Sequence, residues 1–180
     1  MEKKGMSLFS SSSRFGGVVR YLTVGCGAVL VLVAGLAFAD TYDLQNWSGR
    51  LPAAAVGAGE AADGSVLYVC IVDSWGGQHP GRLTEAGQCQ VAWGGQGHSF
   101  DDGFMVLSGS SPNGNWQQVD GGGAPDGAFK AGDDGAPIYI CRFDVAGGLH
   151  PGKLTDDGWC YVAIDGVEEV ATGNFEVLVE

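Results

Sequence analysis

The chain has 180 residues, 32 glycines and a formal net charge of −12, which leaves room for one ordinary domain or two small ones. Residues 1–39 hold four basic residues and one acid, so the remainder stands at −15, with only Arg50, Arg82, Lys130, Arg142 and Lys153 as cations. A phosphate backbone demands clustered Lys and Arg, so nucleic acid and anionic membrane surfaces are excluded as expected partners.

Residues 1–39 read as a secretory signal peptide. Lys3, Lys4, Arg14 and Arg20 form a basic start, Leu22 to Phe38 is almost wholly apolar, and Ala37-Phe38-Ala39 is an A-x-A cleavage pattern before Asp40. The apolar run is short for a membrane span, which needs about 20 residues. An uncleaved anchor is the competing reading. Cys26 follows Gly25 in the manner of a lipoprotein site, but Thr23 fits that pattern poorly. The expectation is a protein exported to the extracellular space, cleaved after Ala39, with no membrane attachment afterwards.

Beyond the signal the chain is an internal repeat. Displaced by 71 positions, residues 66–107 fall on 137–178 without a gap, and 18 of these 42 positions are identical. Tyr68-Val69-Cys70 meets Tyr139-Ile140-Cys141, and His79-Pro80-Gly81-Arg82-Leu83-Thr84 meets His150-Pro151-Gly152-Lys153-Leu154-Thr155. Upstream, Pro52 and Gly59 correspond to Pro125 and Gly132, and Trp47 and Trp116 open the two units. The expected organisation is a first repeat over 40–107, a turn-rich linker over 108–115 and a second repeat over 116–180.

In chain order, Val66 to Val72, Gln88 to Trp93 and Phe104 to Leu107 read as strands of the first repeat. Ile138 to Phe143, Trp159 to Ile164 and Phe175 to Val179 read as their counterparts. Gly-Gly pairs and His-Pro-Gly segments are expected as the turns between them. No sustained 3.6-residue period occurs outside the signal, and glycine disfavours helix. The fold class is therefore all-β: two tandem homologous repeats sharing one core, as a pseudo-twofold sandwich or barrel-like arrangement. A unit of about 60 residues buries too little surface to be robust alone.

Cys70, Cys89, Cys141 and Cys160 follow the signal, and an even count in an exported chain reads as a disulfide framework. Of three possible pairings, the repeat favours Cys70–Cys89 with Cys141–Cys160. Zinc is disfavoured, because the spacing is not C-x-x-C and no His is consistently adjacent. Calcium has a candidate in Asp133-Asp134-Gly135, but the first repeat offers only Glu60 and Asp63 there and no EF-hand spacing exists. Nucleophilic catalysis lacks its inventory: the cysteines are committed, G-x-S-x-G is absent, and His79, His98 and His150 are the only histidines. No catalytic residues, metal or cofactor are expected.

One recurring feature remains. Arg82 and Lys153, two of the five cations beyond residue 39, share a repeat position after Pro-Gly. Each is preceded in its repeat by an acid after Gly, Glu60 and Asp133 respectively. A carboxylate accepts hydrogen bonds, Lys or Arg donates them, and vicinal sugar hydroxyls do both. Glu60 with Arg82 and Asp133 with Lys153 are thus candidate sugar clamps. The competing reading is an ordinary salt bridge within each repeat, worth about 0–1 kcal/mol if exposed.

The order of motifs, in duplicate, resembles the DM-nine repeat family. Its features are a leading Trp (Trp47, Trp116), a run from Pro to Gly (Pro52 to Gly59, Pro125 to Gly132), a Tyr-Val-Cys-like strand (Tyr68-Val69-Cys70, Tyr139-Ile140-Cys141), a Pro-Gly-Lys-like segment (Pro80-Gly81-Arg82, Pro151-Gly152-Lys153) and a closing Phe-x-Val-Leu (Phe104 to Leu107, Phe175 to Leu178). The resemblance implies an all-β fold of two intertwined repeats and binding of mannose-containing glycans without calcium, often as homodimers. It also implies that the Asp after the glycine pair and the Lys after Pro-Gly hold the sugar. Those roles fall on Asp133 and Lys153. They fit Glu60 and Arg82 less closely, since Arg does not replace Lys neutrally and two residues are inserted after Glu60. The leading expectation is a metal-independent lectin. The alternative is a secreted structural or adhesive protein whose charged residues merely hold turns.

Overall fold

In the computed structural model, residues 41–180 are described; the expected signal peptide lies outside them. They form fourteen strands. The first seven are β1 (Tyr42–Asn46), β2 (Gly57–Glu60), β3 (Val66–Ser74), β4 (Gly77–Leu83), β5 (Cys89–Trp93), β6 (Gln96–Phe100) and β7 (Phe104–Gly109). The second seven are β8 (Trp116–Val119), β9 (Lys130–Asp133), β10 (Pro137–Val145), β11 (Gly148–Leu154), β12 (Cys160–Ile164), β13 (Val167–Ala171) and β14 (Phe175–Leu178). The fold is all-β and barrel-like.

Hydrogen-bonded neighbours run β3-β4-β5-β6 and then β13-β12-β11, and β2 joins β11 back to β3, which closes a ring of eight strands. The two seams that join the repeats are narrow: Val167 opposite Gln96, and Leu149 opposite Glu60. By pseudo-twofold symmetry β9 lies against β4 as β2 lies against β11. A Cβ on Gly59 would collide with the Leu149 carbonyl, and one on Gly132 with the Gln78 carbonyl, 71 positions earlier. Only glycine admits that backbone approach, which explains why this residue is duplicated.

Each repeat carries its own core around its disulfide. Cys70, Val72, Leu83, Cys89, Val91 and Phe104 pack together in the first repeat, and Cys141, Phe143, Leu154, Cys160, Val162 and Phe175 in the second. A third cluster is shared: Val56, Val69, Ile71 and Leu107 pack with Ala131, Ile140 and Leu178. Neither repeat buries this apolar face without the other, as the size argument requires. The bridges are Cys70–Cys89 and Cys141–Cys160, with Cα–Cα distances of 5.8 and 5.9 Å.

Two local expectations are corrected. His79-Pro80-Gly81 and His150-Pro151-Gly152 are not turns but lie inside β4 and β11. Proline is tolerated there because β4 pairs β3 along its length but meets β5 only at Arg82 and Leu83, so Pro80 has no ladder neighbour on its second side. The turns are two-residue hairpins with positive φ at both central positions: Trp75-Gly76, Gly94-Gly95, Ala146-Gly147 and Asp165-Gly166. That is the type I′ geometry matched to strand twist. The second correction concerns the leading tryptophans, which are not structural equivalents. Trp116 pairs with Leu178, the position taken in the first repeat by Leu44 opposite Leu107. Trp47 sits beyond β1, its N–H donating to the Phe104 carbonyl and its ring stacked on Phe104.

Candidate functional site

The strand registers place the four expected residues at matched positions. Glu60 lies opposite Val66 and Asp133 opposite Pro137, while Arg82 pairs with Gln90 and Lys153 with Tyr161. The acids and the cations nonetheless do not meet as drawn from sequence. Asp133 is exposed, and its carboxylate accepts from Lys130 Nζ at 2.8 Å and from the Gly135 N–H at 3.0 Å, which holds it below the usual carboxylate pKa. Glu60 lies on the rim of another depression, beside Arg142 and Trp116. The charged pair in that depression is Arg142 with Glu176, at 2.8 Å.

Both cations are buried. Lys153 is 4 % exposed and Arg82 6 %, and neither forms an ion pair among the described residues. Burial depresses the pKa of each group, opposed for Lys153 by Glu168, Asp134 and Asp157, and for Arg82 by Asp165. A buried charge without a carboxylate is costly, and each of these two faces a groove.

The Lys153 groove, about 440 Å³, is lined by Trp93 and Gly94 of the first repeat and by Asp134, Lys153, Thr155, Asp156, Tyr161 and Glu168 of the second. The ammonium sits 4.6 Å from the centroid of the Trp93 ring, a cation–π contact worth about 0.5–2 kcal/mol. Glu168 is fixed across the seam by accepting from the Gly95 N–H at 3.2 Å. Tyr161 donates to Asp157 at 2.5 Å. Asp157 also accepts from Thr155 and the Trp159 N–H, and these bonds outweigh its burial and keep it ionised. The carboxylates that share the groove with Lys153 are Glu168, Asp134 and Asp156, of which Asp134 is the neighbour of the residue singled out from sequence. The Asp133 turn, closed by its bond to Gly135, presents Asp134.

The Arg82 groove, about 350 Å³, is the pseudo-symmetric counterpart, lined in part by Asp63, Arg82, Thr84, Glu85, His150 and Asp165. Arg82 is already engaged: Nε donates to Gln90 Oε1 at 2.8 Å, and Nη1 lies 2.8 Å from His150 Nδ1. Since guanidinium only donates, Nδ1 must accept, so His150 is neutral with its proton on Nε2. That Nε2 is buried and without a partner among the described residues. Arg82 of the first repeat thus meets a histidine of the second, whereas Lys153 acts on the corresponding His79 through its charge alone. His79 is wholly buried, and burial first, then the Lys153 charge, push its pKa down.

A larger groove of about 730 Å³ crosses Trp47, Leu51, Val66 and Tyr68, with Glu85 and Asp101 at its edge, and contains no cation. No group of three His, Cys, Asp or Glu side chains is placed to hold a metal among the described residues. Of the residues that line the Lys153 groove, sequence reasoning did not single out Glu168 or Tyr161. Asp134 was legible only within the Asp133-Asp134-Gly135 oxygen cluster, and Trp93 and Glu168 reach the groove from opposite sides of a seam.

No curated protein matches the chain in sequence. Among solved structures, the nematode sperm cell motility protein MFP2B is similar in fold, with a TM-score of 0.50 and 13% identity over 78% of this chain. The chain spans 45% of that protein's length. The profile of the DM9 repeat matches residues 76–171, a span that runs from the first hairpin of one repeat to β13 of the other. The chain therefore belongs to the DM9 repeat family.

Proposed function

We propose that this protein is a metal-independent carbohydrate-binding protein, not an enzyme, with mannose-type glycans as its ligands and the Lys153 groove as its principal site. The observation that carries the reading is the pair of buried cations, each without a carboxylate partner and each opening into a groove built from both repeats. Sugar hydroxyls supply the missing acceptors to Lys153 and the donors for Asp134 and Glu168 in one plane of contact. Asp133 serves by holding the turn that aims Asp134. Arg82 marks the related groove of the other side, where Gln90 and His150 already hold it, and Glu60 lies apart from both grooves. The paired cysteines are those of an oxidising compartment, which supports export through residues 1–39 and action outside the cell. A shallow polar site binds one sugar weakly, so a homodimer would raise avidity by presenting several sites at once.

The test is calorimetric titration of the purified protein with mannose-containing glycans, with and without chelator. Binding that the chelator leaves unchanged is expected, and silence toward every such glycan contradicts the proposal. A second reading, a structural or adhesive role, draws on the exposed Trp159, Val167 and Val170 and on the motility protein of similar fold. It predicts concentration-dependent self-association, measured by sedimentation, that free sugar does not compete away.

A further inference from the structure

The Trp93 wall of the Lys153 groove belongs to an aromatic cluster that the counterpart groove lacks. Trp75 stacks on Trp93, the groove wall, with ring centroids 5.3 Å apart and planes 4° from parallel. His98, His79 and Phe100 pack around Trp75 at 4.9, 5.6 and 5.8 Å. The ring is therefore held in one orientation, yet the residue remains 38 % exposed. Its backbone is also unusual: φ is 51°, at the first central position of a type I′ hairpin, where a bulky side chain is disfavoured. The equivalent residue of the second repeat is Ala146, with φ 52°. Trp93, His98 and Phe100 likewise correspond to Ile164, Glu169 and Ala171. The first repeat thus places an indole where a methyl suffices for the turn, and braces it on four rings.

We infer that Trp75 is a stacking platform for a second sugar ring, so that the Lys153 groove takes an oligosaccharide rather than a single residue. An immobilised aromatic beside a polar groove suits a pyranose. Its apolar C–H face covers the ring at little entropic cost, while the neighbouring residue meets Lys153, Asp134 and Glu168. Trp93 cannot serve in this way, because Lys153 and Trp75 already lie over its ring. The Arg82 groove, flanked by Ala146 and Ile164, offers no such surface and is confined to one residue.

This inference rests on the carbohydrate-binding proposal, and the test separates the two. Methyl α-mannopyranoside and a linear mannotriose are titrated into the wild-type protein and into Trp75→Ala, which the turn accepts because Ala146 already adopts its backbone conformation. A single cooperative melt above the titration temperature confirms that the variant is folded, and Trp75→Phe tests for partial retention. The wild type should bind the trisaccharide about tenfold more tightly than the monosaccharide. Trp75→Ala should erase that gain and leave monosaccharide affinity intact, and Trp75→Phe should keep part of it. If the wild type shows no preference for the trisaccharide, or Trp75→Ala retains it, the platform is refuted while the single-sugar site stands. If neither sugar binds, the carbohydrate proposal fails and the platform with it.

Discussion

The two grooves are built on the same frame by the same strands, yet they have different partners for the same charge. In the first repeat Arg82 is held by Gln90 and His150. At the corresponding places in the second, Tyr161 turns away to Asp157, and Lys153 has only the face of Trp93. The turn after β9 brings Asp134 to the Lys153 groove, and the longer turn after β2 brings Asp63 to the Arg82 groove. The same frame thus holds a hydrogen-bonded network around one cation and leaves the other without a hydrogen-bond partner among the described residues. A cation hydrogen-bonded within the protein stabilises the fold, whereas one with no such bond has every donor free for a ligand.

Arg82→Ala tests the first half of that contrast and carries the largest expected effect on stability. It strands Gln90 and His150 in a buried setting, so the unfolding free energy should fall by about 1–3 kcal/mol. Chemical denaturation measures this, and glycan binding at the Lys153 groove should be unchanged. Equal loss of stability and of binding would show that the grooves are not independent.

Asp134→Asn against Asp133→Asn sharpens the second half. The first removes one of the carboxylate charges in the Lys153 groove and should weaken glycan binding by about tenfold, consistent with one charge-assisted hydrogen bond at about 1.5–3 kcal/mol. The second removes an exposed pair with Lys130 and should cost little affinity. The reverse ranking in a side-by-side titration would return the role to Asp133.

The smallest effect is on pH dependence. The pKa values of His79 and His150 are lowered from 6.5, chiefly by burial, then by Lys153 and by Arg82 respectively. Asp134 and Asp73 act in the opposite sense on His79, and Asp165 and Asp144 on His150. Below pH 6.5 the unfolded chain binds protons that the folded one resists, so stability present above that pH is lost as pH falls. Thermal melts should therefore drop between pH 7 and pH 5, and His150→Asn should flatten that dependence. A profile that rises toward pH 5 would contradict the neutral tautomer assigned to His150.

Much of this was legible in the residues. The apolar strands β3, β5, β7, β10, β12 and β14 stand out by their β-branched and aromatic content, and the 71-residue displacement gave the disulfide pairing that the structure contains. The strands that escaped notice are short, polar or rich in Gly and Pro. β4 and β11 contain His-Pro-Gly, which reads as a turn because the lack of a second ladder neighbour is a tertiary fact. The cations were legible because they are scarce, but their partners were not. Gln90, His150, Trp93 and Glu168 reach them across strand pairings that no local spacing reveals, and the choice between Asp133 and Asp134 depends on how one turn closes.

The central claim is that Lys153, which has no hydrogen bond among the described residues, and not Arg82, which is held by Gln90 and His150, is the cation that meets a ligand. Calorimetric titration of the wild type, Lys153→Ala and Arg82→Ala with one mannose-containing oligosaccharide tests it most directly. The account predicts one dominant site per chain, weakened about 10- to 100-fold in Lys153→Ala and unchanged in Arg82→Ala. Full affinity in Lys153→Ala would contradict it.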